Sequence, residues 1–400
     1  MSTEAKVYFN PWDESFRANP YPHYLPLYGR PPYQLEFFFP MVLVGCYDDA
    51  AAILRDHDRF SSVPPRSPFM EERIAVFGDA PRLVFSDPPV HARLRRLVSR
   101  AFTPKRIREL EPRIREFTNR LLDRAAAKGD LDVMADLANP LPVMVIAEML
   151  GVPPEDYAQF KGWSDAVIES DNTLPGTPLP DYVKNAFSAL REYFIAEIER
   201  RRRNPGADLI SVLVVAHEEA EALSEEELIA FVIILLLAGN ETTTNLIGNG
   251  MLALGRNPDQ LAELRSDPSL IGPTIEEILR FDCPAQSTVR YPKIDLEVGG
   301  TAIQAKTPTF VIIAAANRDP AHFTNPETFD IHRNPRDHLA FGEGIHFCIG
   351  ATLARMEGAI AIDAALERFP RLRLAEPEAP LKYKGSYFLR GLAGLRMLFA

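Results

Sequence analysis

The stretch 341–355, FGEGIHFCIGATLAR, constrains the fold of this chain more than any other. Two glycines and an aromatic residue lead into Cys348, which is followed by Gly350 and then by an apolar helical run. This order predicts a loop that presents one sulfur atom where it enters a helix. The helix dipole and free backbone N–H groups favour a thiolate at such a position. We therefore expect the pKa of Cys348 to fall and its sulfur to act as a metal ligand.

Haem fits a solitary cysteine better than zinc does. Zinc sites built from protein ligands place a second Cys or His within a few residues. The sequence near Cys348 offers only His346, which is better placed to contact something beside the metal. A single protein thiolate on a metal whose other ligands are not protein is typical of haem. The alternative is a buried, inert cysteine, the ordinary state of an isolated Cys.

The segment FGEGIHFCIG resembles the haem-binding signature of the cytochrome P450 family at every defined position. The resemblance implies a soluble bacterial enzyme of the ferredoxin-dependent type, with haem b as cofactor and Cys348 as the iron ligand. It implies a mainly α fold with small β-sheets (α+β), in which the haem lies between a long central helix and the cysteine loop. A single domain would span residues 1–400, with an N-terminal coil over 1–20. The haem-binding positions in the loop would be Phe341, Gly342, His346, Cys348 and Gly350.

A second motif, DPPVHARLRRLV, predicts the start of a helix, with Asp87 as its cap and the prolines in its first turn. His91 and Arg95 are four residues apart and share a helix face. A solvated surface is the ordinary interpretation of two such cations. The resemblance implies instead that both bind a haem propionate, with Arg290, in the extended segment QSTVRYPKI, as a third contact.

Basic residues dominate the segment 91–108, which contains no acidic residue although the chain carries a net charge of −11. They are Arg93, Arg95, Arg96, Arg100, Lys105, Arg106 and Arg108. A solvated basic face is one interpretation. The resemblance favours the docking of an acidic ferredoxin, which together with its reductase would supply the electrons.

Charge and cysteine content exclude several classes of protein. A net charge of −11 argues against nucleic acid as a partner. The three cysteines are widely spaced, offer no disulfide framework and suit a reducing cytoplasm. No basic region followed by an apolar run marks a signal peptide, and the longest apolar stretch, 228–238, is too short to span a membrane. We therefore expect a cytoplasmic protein without a membrane partner.

Residues 224–255 predict one long helix. The run is apolar on all sides, which is typical of a buried helix, and it begins with Ser224 and Glu227 at capping-box spacing. Its interior contains the sequence AGNETT, whose polar groups are costly to bury unless they form hydrogen bonds or have a function. Gly239 in this sequence would let another group approach the backbone closely.

The centre of this helix resembles the acid–alcohol pair with which the P450 family activates oxygen. Thr242 lies one turn after Ala238 on the same face. The resemblance implies that Ala238 lies against the haem, that Thr242 forms a hydrogen bond to dioxygen, and that Glu241 relays protons from solvent. A threonine bonded back to its own helix is the ordinary alternative. Asn240 stands where many relatives have His, a difference that we expect to leave oxygen activation intact.

Shorter elements complete the prediction. The run 33–47 predicts a short hairpin or a pair of edge strands, and 48–55 predicts a helix. The segment 60–86, with its four prolines, predicts an irregular binding loop. Helical spacing predicts further helices over about 107–128, 140–150, 154–169 and 180–203, and 291–313 predicts a small sheet. The helices 154–169 and 180–203 resemble the family's lid, so that 60–86 and 165–185 would be substrate-access loops. A plain helical hairpin is the alternative.

The resemblance also assigns structural and substrate-binding positions. Glu277 and Arg280 would form a buried ion pair, with Arg333 as its third member. The implied function is monooxygenation, in which one oxygen atom from O2 enters an apolar small molecule by hydroxylation or epoxidation. The alternatives are a haem-thiolate enzyme that couples C–C or C–O bonds or dehydrates its substrate, and a haem protein that binds ligands without turnover. Pocket candidates are Phe77, Ile234, Leu237, Ala285, Gln286, Phe388 and Leu389.

Overall fold

The computed structural model describes residues 7–100, 102–173, 177–216, 223–384 and 388–399. Helices dominate it, as the sequence predicts. The α-helices are α1 (Glu14–Ala18), α2 (Tyr21–Tyr24), α3 (Tyr47–Arg55), α4 (Pro68–Phe77), α5 (Val90–Ser99), α6 (Pro104–Lys128), α7 (Pro140–Leu150), α8 (Tyr157–Ile168), α9 (Asp181–Arg203), α10 (Leu209–Ala216), α11 (Glu225–Arg256), α12 (Pro258–Ser266), α13 (Ile271–Phe281), α14 (Ile313–Ala316) and α15 (Ala351–Arg368).

Short strands form small sheets beside the helices. They are β1 (Tyr33–Glu36), β2 (Pro40–Val44), β3 (Phe60–Ser61), β4 (Leu131–Asp132), β5 (Thr288–Pro292), β6 (Leu296–Val298), β7 (Thr301–Ile303), β8 (Thr309–Val311), β9 (Arg373–Leu374) and β10 (Arg396–Leu398). The largest sheet has the order β1-β2-β8-β5-β3, in which β2 and β8 are parallel and the other pairs antiparallel. Strands β4-β10-β9 and β6-β7 form the others. The predicted hairpin over 33–47 and the predicted strands over 291–313 are confirmed.

Helix α11 runs through the core. The Oγ of Ser224 accepts the backbone N–H of Glu227 at 3.1 Å, and the Glu227 carboxylate accepts the N–H of Ser224 at 2.8 Å. This is the predicted capping box, which gives partners to amide groups that a helix start otherwise leaves unbonded. Its 32 residues correspond to a length of about 48 Å. Buried residues occur on every side of the helix, so its neighbours, and not its intrinsic helix propensity, provide most of its stability.

In the part of the chain that the structure describes, buried apolar side chains form two clusters. The larger lies among helices α5–α13 and α15, where α11 packs on α7, α9, α13 and α15. The second lies between the five-stranded sheet and helices α1–α3 and α14. Ala340, directly before the cysteine loop, packs against both clusters. The loop therefore begins where the two parts of the core meet.

Among the described residues, two helical segments are long and apolar enough to cross a membrane by length and composition, namely Val133–Leu150 and α11. Within the fold, 72% and 67% of their apolar windows are buried. Burial accounts for their composition, because a helix that is enclosed by protein needs apolar residues on every enclosed face.

The prediction of an irregular loop over 60–86 is wrong in its centre, where α4 forms. Ser67 caps this helix by accepting the N–H of Met70 at 3.3 Å. Pro68 occupies the first turn, where a helix makes no use of the missing N–H. Gly78 ends the helix with a φ of 75°, which glycine adopts without strain. A proline that starts a helix and a proline in a loop look alike in the sequence.

Two other expectations need correction. The predicted N-terminal coil, 1–20, contains α1, which Asp13 caps. Pro89, and not Asp87, occupies the N-cap position of α5. The Asp87 carboxylate instead accepts the N–H of Ser62 at 2.9 Å, because the intervening prolines move the start of the helix beyond its reach.

Helices α8 and α9 form the predicted helical pair. The expected access loop, 165–185, is shorter than predicted, since α8 continues to Ile168, a 3-10 turn covers Glu169–Asn172 and α9 begins at Asp181. Its tip, 174–176, lies outside the described residues. One face of α9 is apolar and buried; it consists of Val183, Phe187, Leu190, Phe194 and Ile198.

Candidate functional site

The cysteine loop is built on two glycines with left-handed backbone conformations. Gly342 and Gly344 have φ angles of 71° and 68°, a region that glycine adopts freely and side chains disfavour. The backbone N–H of Cys348 donates to the carbonyl of Phe341 at 2.9 Å, which closes the loop. Gly350 is the N-cap residue of α15. The predicted arrangement of one cysteine at the entry to a helix is confirmed.

Cys348 does not have the lowered pKa that its position suggests. Desolvation by surrounding protein raises the pKa of the thiol, against the opposing effect of the amides of Gly350 and Ala351 and of Arg95 and Arg355. The residue itself is exposed, so one side of the loop faces open space. The expected decrease is wrong because the sequence reveals the helix start but not how much protein surrounds the sulfur.

An ion-pair cluster that the sequence did not reveal holds this loop in place. Arg355 of α15 donates to both carboxylate oxygens of Glu276 at 2.6 and 2.8 Å, and Nε2 of His338 lies 3.2 Å from the same carboxylate. Burial raises the pKa of Glu276, but His338 and Arg355 outweigh it and bring the pKa to about 2. The Arg355 guanidinium also lies 4.5 Å from the ring centre of Phe341. In the sequence, the only signal was a second acid directly before Glu277.

The predicted ion pair behind the loop is present. Nε and Nη2 of Arg280 each donate to the Glu277 carboxylate at 2.8 Å, and both side chains are fully buried. Nε of Arg333 donates to the same carboxylate at 3.3 Å. Arg280 also donates to backbone carbonyls within the segment 317–328. These bonds give the cluster a structural role, since they fasten α13 to the chain that precedes the cysteine loop.

Imidazole and guanidinium groups from distant segments converge beside the cysteine loop. The ring centres of His91 and His346 lie 4.3 Å apart, and Arg95 and Arg290 both act electrostatically on His346. Nε2 of His346 lies 2.9 Å from Oγ of Ser62, a contact that no sequence pattern indicated. The structure therefore brings together His91, Arg95, Arg290 and His346, to which the family resemblance assigns haem binding.

Little negative charge compensates this cluster. Burial lowers the pKa of Arg290 to about 10, and Asp87 opposes that effect. Burial, Arg290 and His91 lower the pKa of His346 to about 3, while burial and Arg95 lower that of His91. Within the described residues, Nε2 of His91 has no hydrogen-bond partner. Because a buried charge is costly without a counter-charge, the cluster fits a ligand that carries carboxylates.

Arg93 and Lys105 of the basic segment have acidic neighbours, which the segment itself lacks. Arg93 forms an ion pair with Glu227 at the start of α11, and Nζ of Lys105 lies 3.9 Å from the carboxylate of Glu109. Arg96 is among the exposed members of the segment. The basic surface is therefore smaller than the sequence predicts, because folding places Glu227 beside it.

One stripe of α11 is open in the middle of a buried helix. Ala238 is exposed and Ile234, Leu237 and Thr242 are partly exposed, whereas the residues around them are mostly buried. Spacings of three and four residues place these side chains on one face. A helix that is enclosed elsewhere and open on one stripe forms the wall of a cavity.

The acid and the alcohol of this helix differ in their surroundings. Oγ1 of Thr242 donates to the carbonyl of Ala238 at 2.6 Å, which is the back-bonded state weighed above as the ordinary alternative. Its hydroxyl oxygen can still accept a hydrogen bond. Glu241 is only 6% exposed. The pair therefore combines a hydroxyl at the open stripe with a carboxyl group inside the protein.

Gly239 and Asn240, which directly precede Glu241, face other helices. A Cβ on Gly239 would lie 2.8 Å from Cδ1 of Ile146 on α7, so the close approach that this glycine permits is that of a packed side chain. Nδ2 of Asn240 donates to Oγ of Ser164 on α8 at 3.1 Å. Both residues therefore fix α11 against its neighbours.

The predicted pocket residues outside α11 lie on separate walls. Phe77, at the end of α4, packs its ring on an aromatic side chain of α9 at 4.8 Å. Ala285 and Leu389 form an antiparallel bridge, and Phe388 stacks on an aromatic ring of β8 at 6.5 Å. The side-chain amide of Gln286 donates to a backbone carbonyl at 2.7 Å. The structure thus joins the 285–286 and 388–389 positions, and it places Phe77 against α9.

The described side chains do not by themselves supply all the ligands of a metal ion. Across the described ranges, no group of three or more His, Cys, Asp or Glu side chains could hold a metal ion. A metal at Cys348 would therefore take its other ligands from a cofactor. The open side of Cys348, the unbonded Nε2 of His91 and the poorly compensated Arg290 fit haem, which carries a metal and carboxylates. Fold and site together define a mainly helical haem protein.

Comparison with known proteins identifies the family. The family model "Cytochrome P450" matches residues 170–391. The chain is 42% identical over 392 residues to the cytochrome P450 monooxygenase PikC of Streptomyces venezuelae, which covers 96% of this chain and 91% of that protein. It is 39% identical over 364 residues to the 6-deoxyerythronolide B hydroxylase of Saccharopolyspora erythraea, which covers 88% of each. The crystal structure of P450BioI in complex with hexadec-9Z-enoic acid-ligated acyl carrier protein matches with a TM-score of 0.90 and 38% identity over 97% of this chain and 99% of that one.

This chain belongs to the cytochrome P450 family. It has the fold of that family, binds haem b and is an oxidoreductase with monooxygenase activity. The predictions of family, fold class, cofactor and enzyme class are therefore confirmed.

Proposed function

We propose that Cys348 is the iron ligand of an enzyme that inserts one oxygen atom of O2 into a C–H bond or an alkene of an apolar small molecule. The observation that carries this proposal is the closed loop with Cys348 exposed on its open side. Helix α15 begins directly after this loop and packs on α11, which has the open stripe. When bound, the haem supplies the oxidising chemistry, which a thiolate ligand promotes by favouring cleavage of the O–O bond.

The proposed haem-binding residues act by charge and by shape. His91, Arg95 and Arg290 donate to the haem carboxylates, and charge-assisted hydrogen bonds of this kind are the strong ones. His346 lies against His91 in the same cluster. In the loop, Phe341, Gly342 and Gly350 shape the surface beside the sulfur, and on α11 the small side chain of Ala238 leaves room for a flat cofactor.

Thr242 and Glu241 supply protons in this proposal. Thr242 exchanges its bond to the Ala238 carbonyl for one to the oxygen substrate, which a hydroxyl can do by rotation. Glu241 lies one residue earlier and inside the protein, where it can take protons from solvent and pass them on. The chain's part in the reaction is thus to hold the substrate, exclude water and deliver protons.

The substrate is proposed to be an apolar small molecule of macrolide-like or fatty-acyl type. The side chains assigned to the pocket, among them Phe77, Ile234, Leu237, Ala285 and Leu389, are apolar. Phe388 would lie beside them, and Gln286 would add one polar group. One relative is a 6-deoxyerythronolide B hydroxylase, and one structural neighbour holds an acyl chain on a carrier protein. A hexadecenoyl chain is a long apolar ligand, which suits a pocket lined by such side chains.

Electrons are proposed to come from a ferredoxin and its reductase. Arg96, Arg100 and Arg108 are exposed in the basic segment and would meet an acidic partner. The segment begins at His91, so this surface adjoins the proposed haem site. We place the protein in the cytoplasm, where such partners are reduced.

The decisive experiment compares the wild type with Cys348→Ser. The reduced carbon monoxide adduct of the wild type should absorb near the wavelength for which the family is named, and the variant should lose that band. Retention of the band in the variant would refute the ligand assignment. Titration of the oxidised wild type with macrolides or fatty acids should shift the spin state of the haem iron, whereas titration with steroids should not. No shift with any of these compounds would contradict the proposed substrate class.

A further inference from the structure

Asn249 is a buried amide on the helix that carries the proposed oxygen chemistry. It follows Thr242 by about two helical turns, so both side chains project from the same face of α11. Thr242 belongs to the open stripe, whereas Asn249 is only 1% exposed. Asn249 therefore lies where the protein closes that stripe.

The side chain of Asn249 holds two segments that are distant in the sequence. Its Nδ2 donates to the backbone carbonyl of Asp282, directly after α13, at 3.0 Å, and to the backbone carbonyl of Arg390 at 3.2 Å. An amide nitrogen carries two hydrogens, so both of them have an acceptor here. Its Oδ1 has no hydrogen-bond partner within the described residues. An apolar side chain would avoid the cost of burying that oxygen, so the two donated bonds are what the amide contributes at this position.

The two held segments also bind each other. The backbone N–H of Gln286 donates to the carbonyl of Phe388 at 2.7 Å. The backbone N–H of Arg390 donates to the carbonyl of Pro284 at 2.8 Å. In addition, Nε of Arg390 donates to the Asp282 carboxylate at 2.9 Å. These bonds join the segments into one wall, but they do not attach that wall to α11.

The wall carries four of the residues proposed above to line the substrate pocket. They are Ala285, Gln286, Phe388 and Leu389. Each of them lies within four residues of a carbonyl that Asn249 holds. A shift of these carbonyls relative to α11 would therefore move the wall of the pocket relative to Thr242.

We propose that Asn249 is a positioning residue that fixes this wall relative to Thr242 and thereby decides which carbon atom of the substrate is oxidised. The inference rests on the substrate pocket and the oxygen chemistry proposed above. Asn249 acts through the wall and not by touching the substrate. Because a displacement of about 1 Å is enough to misalign reacting atoms, a wall that is free to move presents several carbon atoms in turn.

Amide hydrogen exchange in the oxidised haem-bound protein measures whether Asn249 holds the wall. Asn249→Leu has a similar shape and no donor, so exchange at the amides of Gln286 and Arg390 should be about tenfold faster than in the wild type. Mass spectrometry with fragmentation resolves these two amides. Asn240→Leu is the matched control, since Asn240 is a buried amide of the same helix that donates to Ser164 of α8. Unchanged exchange in Asn249→Leu, or equal acceleration in both variants, overturns the inference.

Product analysis with hexadecanoic acid measures which carbon atom is oxidised. Its methylene groups differ little in reactivity, so the ratio of the hydroxy acids reports where the chain lies relative to the oxygen. With electrons from a ferredoxin and its reductase, Asn249→Leu should change that ratio by about threefold or more. Asn249→Asp, whose carboxylate donates to neither carbonyl, should do the same and replaces Asn249→Leu if that variant does not bind haem.

The outcomes separate the inference from the proposed function. A variant that turns over more slowly with the wild-type ratio of products shows only a loss of stability, and the positioning role of Asn249 is then wrong. If the wild type does not oxidise hexadecanoic acid, the proposal of a fatty-acyl substrate is wrong for this compound. The exchange measurement needs no substrate, so it still decides whether Asn249 fixes the wall.

Discussion

Replacing Glu357 with Gln should make the stability of this enzyme less dependent on pH. Glu357 lies on α15 and is 1% exposed. Burial raises its pKa from 4.5 to about 8, and its Oε2 has no hydrogen-bond partner within the described residues. At neutral pH the carboxyl group is therefore protonated in the folded protein, whereas the unfolded chain ionises it.

The magnitude follows from the difference between the two pKa values. The unfolded chain releases the proton of Glu357 at lower pH than the folded protein does. The protonated carboxyl group therefore makes its full contribution to the free energy of unfolding below about pH 4.5, and this contribution is lost as the pH rises towards 8. Each pH unit between these limits costs about 1.4 kcal/mol. Between pH 5 and pH 7 the loss amounts to about 2–3 kcal/mol. Gln has the same shape but no ionisable proton, so Glu357→Gln should avoid this loss of stability.

Urea unfolding of the haem-bound proteins at pH 5, 6 and 7, followed by circular dichroism, measures the effect. The difference in unfolding free energy between Glu357→Gln and the wild type should grow by about 2–3 kcal/mol in favour of the variant over this range. Glu367→Gln, at an exposed position on the same helix, is the matched control and should show a constant difference. A constant difference for Glu357→Gln as well would mean that the folded protein ionises Glu357, and the argument from burial would fail.

Thr242→Ala should allow electron consumption to continue while product falls and peroxide rises, because the hydroxyl at the open stripe is lost; unchanged coupling would remove Thr242 from the oxygen chemistry. Reversing the exposed Arg96 and Arg100 to Glu should slow reduction by ferredoxin most strongly at low salt, as stopped-flow absorbance would detect. Wild-type rates at every salt concentration would exclude this surface. Gly391→Ala should destabilise the fold by about 1–3 kcal/mol, since its Cβ would lie 1.7 Å from Oδ1 of the buried Asn245. An unchanged thermal midpoint would mean that Asn245 moves aside.

Local patterns led to reliable predictions where neighbouring residues decide the structure. The capping box at Ser224 and Glu227, the glycine-rich turn before Cys348 and the length of α11 all depend on residues within a few positions of one another. The resemblance of 341–355 to a family signature added the cofactor and the enzyme class. Each of these features depends on residues that are close together in the sequence, so it can be predicted without knowing how distant segments pack.

Errors arose where one local pattern suits two structures. The prolines of 60–86 are compatible with a loop and with a helix start, and the structure contains α4 there. The helix start at Cys348 suggested a lowered pKa, whereas the surrounding protein raises it. In both cases the deciding factor is packing with segments that are distant in the sequence.

The sequence by itself determined the cysteine loop, the central helix and the family. Only the tertiary structure decided which charged groups meet. Arg355 pairs with Glu276, and Arg93 pairs with Glu227. Neither of these pairs has a characteristic spacing along the chain. Their formation depends on how helices pack, because the free energy of a charge is set by the solvent and the partners that folding leaves around it.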